Sequence, residues 1–140
     1  MDRRNFTRSI ASFFASAGGM FLFSSQLPAR EYLTVDQAQK ILFGGEVLTQ
    51  TRVKLTALQK KAIREASGIR VRRSYLAAWK ASGGGWFLLD QVIGKHEYID
   101  LAIALSSTGS IKGIEILNYR ESYGGDVRHE RWRAQFTGFT

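Results

Sequence analysis

The spacing of apolar residues changes character twice between residue 30 and the end of the chain. Val35, Ala38, Ile41 and Leu42 recur at helical spacing, which puts them on one face of a short helix. Thr34 stands just before this run with Gln37 three places on, a pairing in which each side chain caps the other's backbone amide. Gly44-Gly45 ends the element. The device repeats from Thr56 and Gln59. Leu58, Ala62, Ile63 and Ala66 form the expected buried stripe, and Gly68 stands where a helix C-terminal glycine belongs.

From Ile69 the pattern reads as strands. Val71 and Tyr75 lead into Leu76, Ala78 and Trp79; Trp86 to Leu89 with Val92 make a second strand. Tyr98, Ile99, Leu101, Ile103 and Leu105 make a third, and Ile111, Ile114, Ile116 and Leu117 a fourth. Short turns at Ser82–Gly85 and Ser107–Ser110 join them, which predicts an antiparallel meander. Trp132 and Phe136, four apart, predict a last amphipathic helix. The fold class is therefore α+β: N-terminal helices, a four-stranded antiparallel sheet and a C-terminal helical piece, after an N-terminal signal segment.

That segment is residues 1–29. Arg3, Arg4, Phe6 and Arg8 precede an apolar stretch from Ile10 to Leu27 that is diluted by serine and glycine. The order of basic head and mildly apolar middle resembles a twin-arginine export signal. Leu27 stands where a cleavage site wants a small residue, so a signal peptide and an uncleaved anchor, with membrane association through the N-terminus, both stay open. On either reading residues 30–140 are exported, to the periplasm or the outer face of the cytoplasmic membrane.

Composition narrows the chemistry. The chain has 140 residues, one domain's worth, and no cysteine, which excludes disulfides, thiolate metal sites and a thiol nucleophile. His96 and His129 are far apart in sequence, so no zinc-spaced pair exists. The formal charge is +8. Its densest clusters are Arg70, Arg72, Arg73 and Arg128, Arg131, Arg133. The first alternates with Ile69 and Val71, as on the solvent face of a strand. The glycine and aromatic signature of RNA binding is absent, so nucleic acid is not an expected partner. Lys95-His96-Glu97 falls between two strands and reads as a polar connection. Asp90 and Asp100 flank the same hairpin without a partner geometry for carboxylate catalysis. Trp79, Trp86 and Trp132 read as core or groove residues.

The most unusual stretch is Tyr119 to Val127, where Glu121, Ser122, Tyr123, Gly124 and Gly125 put a carboxylate, a hydroxyl, an aromatic ring and two glycines together ahead of a helical pattern. Glycines admit close approach of a ligand to the backbone, amides ahead of a helix favour an anion, and a ring can stack on a flat heterocycle. Alone, this reads as a plain strand-to-helix turn. Its surroundings add to it. The run Gly84 to Glu97, the run Gly109 to Leu117, the Arg120 to Val127 loop and Trp132-Arg133-Ala134-Gln135-Phe136-Thr137-Gly138 together resemble the FMN-binding domain. That family includes flavin-carrying subunits of sodium-pumping and related membrane oxidoreductases and small exported relatives. The resemblance covers residues 31–138.

The resemblance implies an exported electron-transfer domain rather than an enzyme with its own substrate. Its cofactor would be FMN, its partners membrane redox proteins and a flavin transferase, and its flavin side Glu121, Ser122, Tyr123, Gly124 and Gly125. In the family an acceptor threonine lies in a Ser-Gly-Ala-Thr-like motif some tens of residues beyond the Phe-x-Gly element. No such run occurs in these 140 residues, so the resemblance implies a domain lacking that C-terminal part, and no acceptor is assigned to Thr137 or Thr140. The competing expectation is a non-catalytic interaction or sensory module on the same scaffold.

Overall fold

The structure, a computed structural model, describes residues 30–140, with side chains from Tyr32 onward. The export-signal reading of residues 1–29 lies outside the described residues. The chain runs β1 (Arg30–Glu31), α1 (Val35–Phe43), β2 (Leu48–Lys54), α2 (Ala57–Ser67), β3 (Tyr75–Ala81), β4 (Trp86–Ile93), β5 (Tyr98–Leu105) and β6 (Ile111–Tyr119). A 3-10 turn (Gly125–Arg128) and α3 (Glu130–Ala134) follow. The class is mixed α+β.

Five strands of seven to nine residues form one antiparallel sheet, with two-residue β1 at one edge, in the order β1-β6-β5-β4-β3-β2. This corrects the four-strand expectation. β2 was the missing strand: only Leu48 and Val53 are apolar among its seven residues, so it carries no alternating signal, yet it pairs along its whole length with β3. The helices are accordingly interleaved with a strand rather than grouped ahead of the sheet. A second correction concerns Ile69–Ser74, expected to begin a strand. β3 starts only at Tyr75, and the arginines at 70, 72 and 73 lie on irregular backbone.

Both reciprocal caps form. Thr34 Oγ1 accepts from Gln37 N at 3.2 Å and Gln37 Oε1 accepts from Thr34 N at 2.9 Å; Thr56 and Gln59 repeat these distances. The two helices then differ. α1 buries Ala38 and Phe43 on one face of the sheet, against Ala81, Phe87, Ala102, Ala104 and Leu117. Alanines at 102 and 104 leave room for Phe43, whose ring meets fully buried Phe87 edge-on at 6.5 Å. Trp79 also meets Phe87 edge-on, at 5.4 Å. Edge-to-face contacts of this kind add to area burial. Ile41, expected on the buried face, is instead 57 % exposed. In α2 no residue is buried, and Leu58 is 80 % exposed. The amphipathic pattern there fixed a helix and its apolar face but supplied no partner for that face.

The opposite sheet face buries Ile99, Leu101, Ile116 and Tyr119, packed by Tyr32, Ile103, Ile114 and Val127. Residues 116 and 119 are three apart, an odd spacing for one face. The register explains it: Asp100 pairs with Asn118 but Leu101 with Ile116, so Leu117 is an extra residue. Such a bulge re-aims the side chains beyond it. Here it turns Tyr119 toward the loop that follows β6.

Candidate functional site

The loop after β6 is held at both ends. Glu121 Oε1 accepts from His96 N at 2.5 Å and from Glu97 N at 2.9 Å, gripping the β4–β5 turn. Those donors, Glu97 first and then His96, hold its carboxyl below its ordinary value of 4.5, because a carboxylate that accepts backbone hydrogen bonds is stabilised in its charged form. Gly94 lies so close to Glu121 that a Cβ there would overlap its carboxylate. Two residues on, the Tyr119 hydroxyl donates to the Tyr123 carbonyl. Burial, and then the neighbouring Glu121 charge, push the Tyr119 phenol up, so it stays a donor across the neutral range. Gly124 takes a left-handed backbone, φ 77, that lets the chain turn into the 3-10 segment.

Arg128 closes the arrangement. Its Nε donates to the Gly125 carbonyl at 3.0 Å and its Nη1 to the Tyr32 hydroxyl at 3.0 Å. Its guanidinium sits 5.5 Å from the Tyr32 ring centre and 5.9 Å from that of Tyr119. Among the described residues no carboxylate pairs with it. Arg133 anchors the next turn: Nη2 meets Glu115 Oε2 at 3.0 Å, Nε donates to the Ile114 carbonyl at 2.9 Å, and Nη1 donates to the Arg128 carbonyl.

The five sequence-selected residues therefore divide. Glu121 turns its carboxylate to the β4–β5 turn and is a brace for the hairpin. Ser122 and Gly124 are exposed, and Tyr123 presents its ring with 82 % of the residue exposed. Gly125 is pressed against the Arg128 guanidinium, which a Cβ there would displace. The helical pattern expected after the loop is only a four-residue 3-10 turn and five-residue α3. Phe136 falls beyond the helix, though its ring still meets Trp132 edge-on at 5.1 Å. Sequence reading missed Tyr32 and Arg128 as parts of this site. They are 96 residues apart, and only the fold brings them together.

The end of the sheet that carries the loop also holds a polar chain. Asp100 accepts from Gln91 Nε2 at 2.5 Å and from Arg120 Nη2 at 2.9 Å, and Gln91 accepts from Arg73 at 3.3 Å. Burial alone would raise the Asp100 carboxyl, but these donors and the Arg120 charge bring it below its ordinary 3.8. Beyond that chain lies a cavity of about 440 Å³, between α2, residues 69–73 and the ends of β3 and β4. None of Glu121–Gly125 lines it.

Among the described residues no helix is long and apolar enough to cross a membrane, and no group of three histidine, aspartate or glutamate side chains is placed to hold a metal ion. The chain matches no family model, and no curated protein or solved structure is significantly similar to it.

Proposed function

We propose that the chain is an exported FMN-binding domain serving electron transfer in a membrane-linked redox chain, with the flavin held at the Ser122–Gly125 loop. The observation that carries this reading is an exposed Tyr123 ring in a loop fixed by Glu121 and Tyr119, with the Arg128 guanidinium hydrogen-bonded to the same loop at Gly125. An isoalloxazine is a flat heterocycle that a tyrosine face can cover. A phosphate monoester is matched by an arginine without a carboxylate partner. The Ser122 hydroxyl supplies a further donor. When bound, FMN brings the capacity to take up and release one or two electrons; the protein supplies position and electrostatics. Glu121 acts as a positioning residue, since its Oε1 accepts from both hairpin amides.

The order of motifs along residues 31–138 supports the same reading by resemblance, and the basic head of residues 1–29 supports export. No acceptor motif lies within these 140 residues, so any flavin they hold by themselves would be held non-covalently. A second reading, an interaction module on this scaffold, draws support from the uncovered apolar face of α2, where Leu58 and Ile63 are 80 % and 40 % exposed. Titration of free FMN into the protein separates the two. Stacking on Tyr123 quenches flavin fluorescence saturably, and Tyr123→Leu weakens the interaction about fivefold, as expected for a stack of roughly 1 kcal/mol. Fluorescence unchanged by the protein refutes the flavin reading and leaves the interaction module.

A further inference from the structure

We propose that the cavity between α2, the Arg70–Arg73 segment and β4 binds one single-chain amphiphile: an alkyl chain ending in a carboxylate or phosphate. The site is made by a parting of strands. β4 pairs with β5 through to Ile93, but its ladder with β3 stops at Ala77 opposite Leu89. Residues 69–74 are strung between two anchors, Ile69 N on Ser67 Oγ at 3.1 Å and Ser74 O accepting from Leu55 N at 2.8 Å. Between those anchors, residues 70–73 make no backbone–backbone hydrogen bond among the described residues. The space that opens has about 440 Å³, within the range of small-molecule sites (~300–1,000 Å³).

Its walls specify the ligand. Leu55, Ile63, Leu76, Leu89 and Ile93 give it an aliphatic lining, and Ile69 at its rim is 71 % exposed. Two tyrosines also line it, but cations already cover their faces: Arg52 lies 4.4 Å from the Tyr75 ring centre and Arg72 lies 5.3 Å from that of Tyr98. That favours an alkyl chain over an aromatic ring. Three arginines, 70, 72 and 73, stand against one carboxylate, Asp90, in the lining. No ion pair engages any of the three among the described residues. Arg72 and Arg73 hydrogen-bond only neutral oxygens, of Tyr98 and Gln91. Guanidinium groups beside apolar surface, without counter-charge, are matched by an anionic head whose tail is buried. The site is independent of the flavin loop.

Calorimetric titration of the full chain tests it, with decanoate and decyl phosphate below their micellar range, and with decanol and inorganic phosphate as half-ligands. One equivalent of decanoate or decyl phosphate binds saturably, and the head that binds more tightly identifies the source. Decanol and phosphate each bind at least tenfold more weakly. The Arg70→Gln/Arg73→Gln variant loses at least tenfold for the anionic amphiphiles. Ala77→Trp abolishes binding by filling the cavity, and Ile63→Trp, on exposed α2, does the same should the first variant fail to fold. Equal affinity for decanol, affinity unchanged in the arginine or tryptophan variants, or binding to anionic vesicles with none to monomeric decanoate overturns the proposal. FMN titrations of the arginine variant stay at the wild-type value, so each reading fails in its own assay.

Discussion

Arg133 gives the sharpest test of how the C-terminal segment is fixed. Its guanidinium makes an ion pair at 3.0 Å with Glu115, the two side chains being only 13 % and 15 % exposed, and it also serves the carbonyls of Ile114 and Arg128. Removing one partner of a well-buried pair costs about 3–5 kcal/mol, because the other charge is stranded. The residual exposure here lets water reach Glu115, so Arg133→Met costs about 2–4 kcal/mol. Glu115→Leu strands the arginine and costs a similar amount. The double variant recovers much of the loss, giving a coupling of about 2 kcal/mol. On a domain of this size a loss of 2–4 kcal/mol lowers Tm by roughly 8 °C or more. Urea unfolding of the four proteins of the cycle measures it, and hydrogen exchange locates it. Protection falls first at Ile111, which exchanges backbone hydrogen bonds with Gly138 and Phe139 at 2.8 Å each. A single variant within 0.5 kcal/mol of wild type, or coupling below that value, refutes the claim that this pair fastens the segment to the sheet.

Three further outcomes follow from the same geometry. Phe87→Ala empties the centre of the core between Phe43 and Trp79 and costs about 3–5 kcal/mol in chemical denaturation; a loss under 1 kcal/mol would place the core elsewhere. Tyr119→Phe removes the donor to the Tyr123 carbonyl and costs about 1 kcal/mol, with shifts in the NMR signals of residues 122–125 and little change in β2; unshifted loop signals would show that the hydroxyl does not hold the loop. Glu121 and Asp100 both have carboxyls below their ordinary values of 4.5 and 3.8. Their contribution is thus fully present above those values and is lost as pH falls through the lower folded ones. The amides of His96 and Glu97 therefore lose protection in acid below about pH 4.5 ahead of the rest of the sheet; protection that persists in Glu121→Gln through the same range contradicts it.

The parts of this fold legible in the sequence are those with a local cause. Thr34 and Thr56 each face a glutamine three residues on, and both caps form. β4, β5 and β6 follow from alternating apolar runs between glycine turns. β2 was not legible because five of its seven residues are polar; its place is set by its partner β3 rather than by a face of its own. Arg70 and Arg72 alternate with Ile69 and Val71 as in a strand, but nothing beside them completes a ladder. In the loop, the sequence located a carboxylate among glycines without revealing its partners, since the amides that Glu121 accepts from lie 24 and 25 residues upstream. The joining of Tyr32 to Arg128 depends on the sheet order and on the bulge at Leu117 that turns Tyr119 toward them.

The flavin claim is met most directly by the absorbance spectrum and intact mass of the full chain, produced in the presence of a flavin transferase and supplied with FMN. The account predicts a flavin spectrum with the protein, an unmodified polypeptide mass, and loss of the colour in Tyr123→Leu/Arg128→Gln. A protein that stays colourless, or one whose colour survives that double variant, contradicts it.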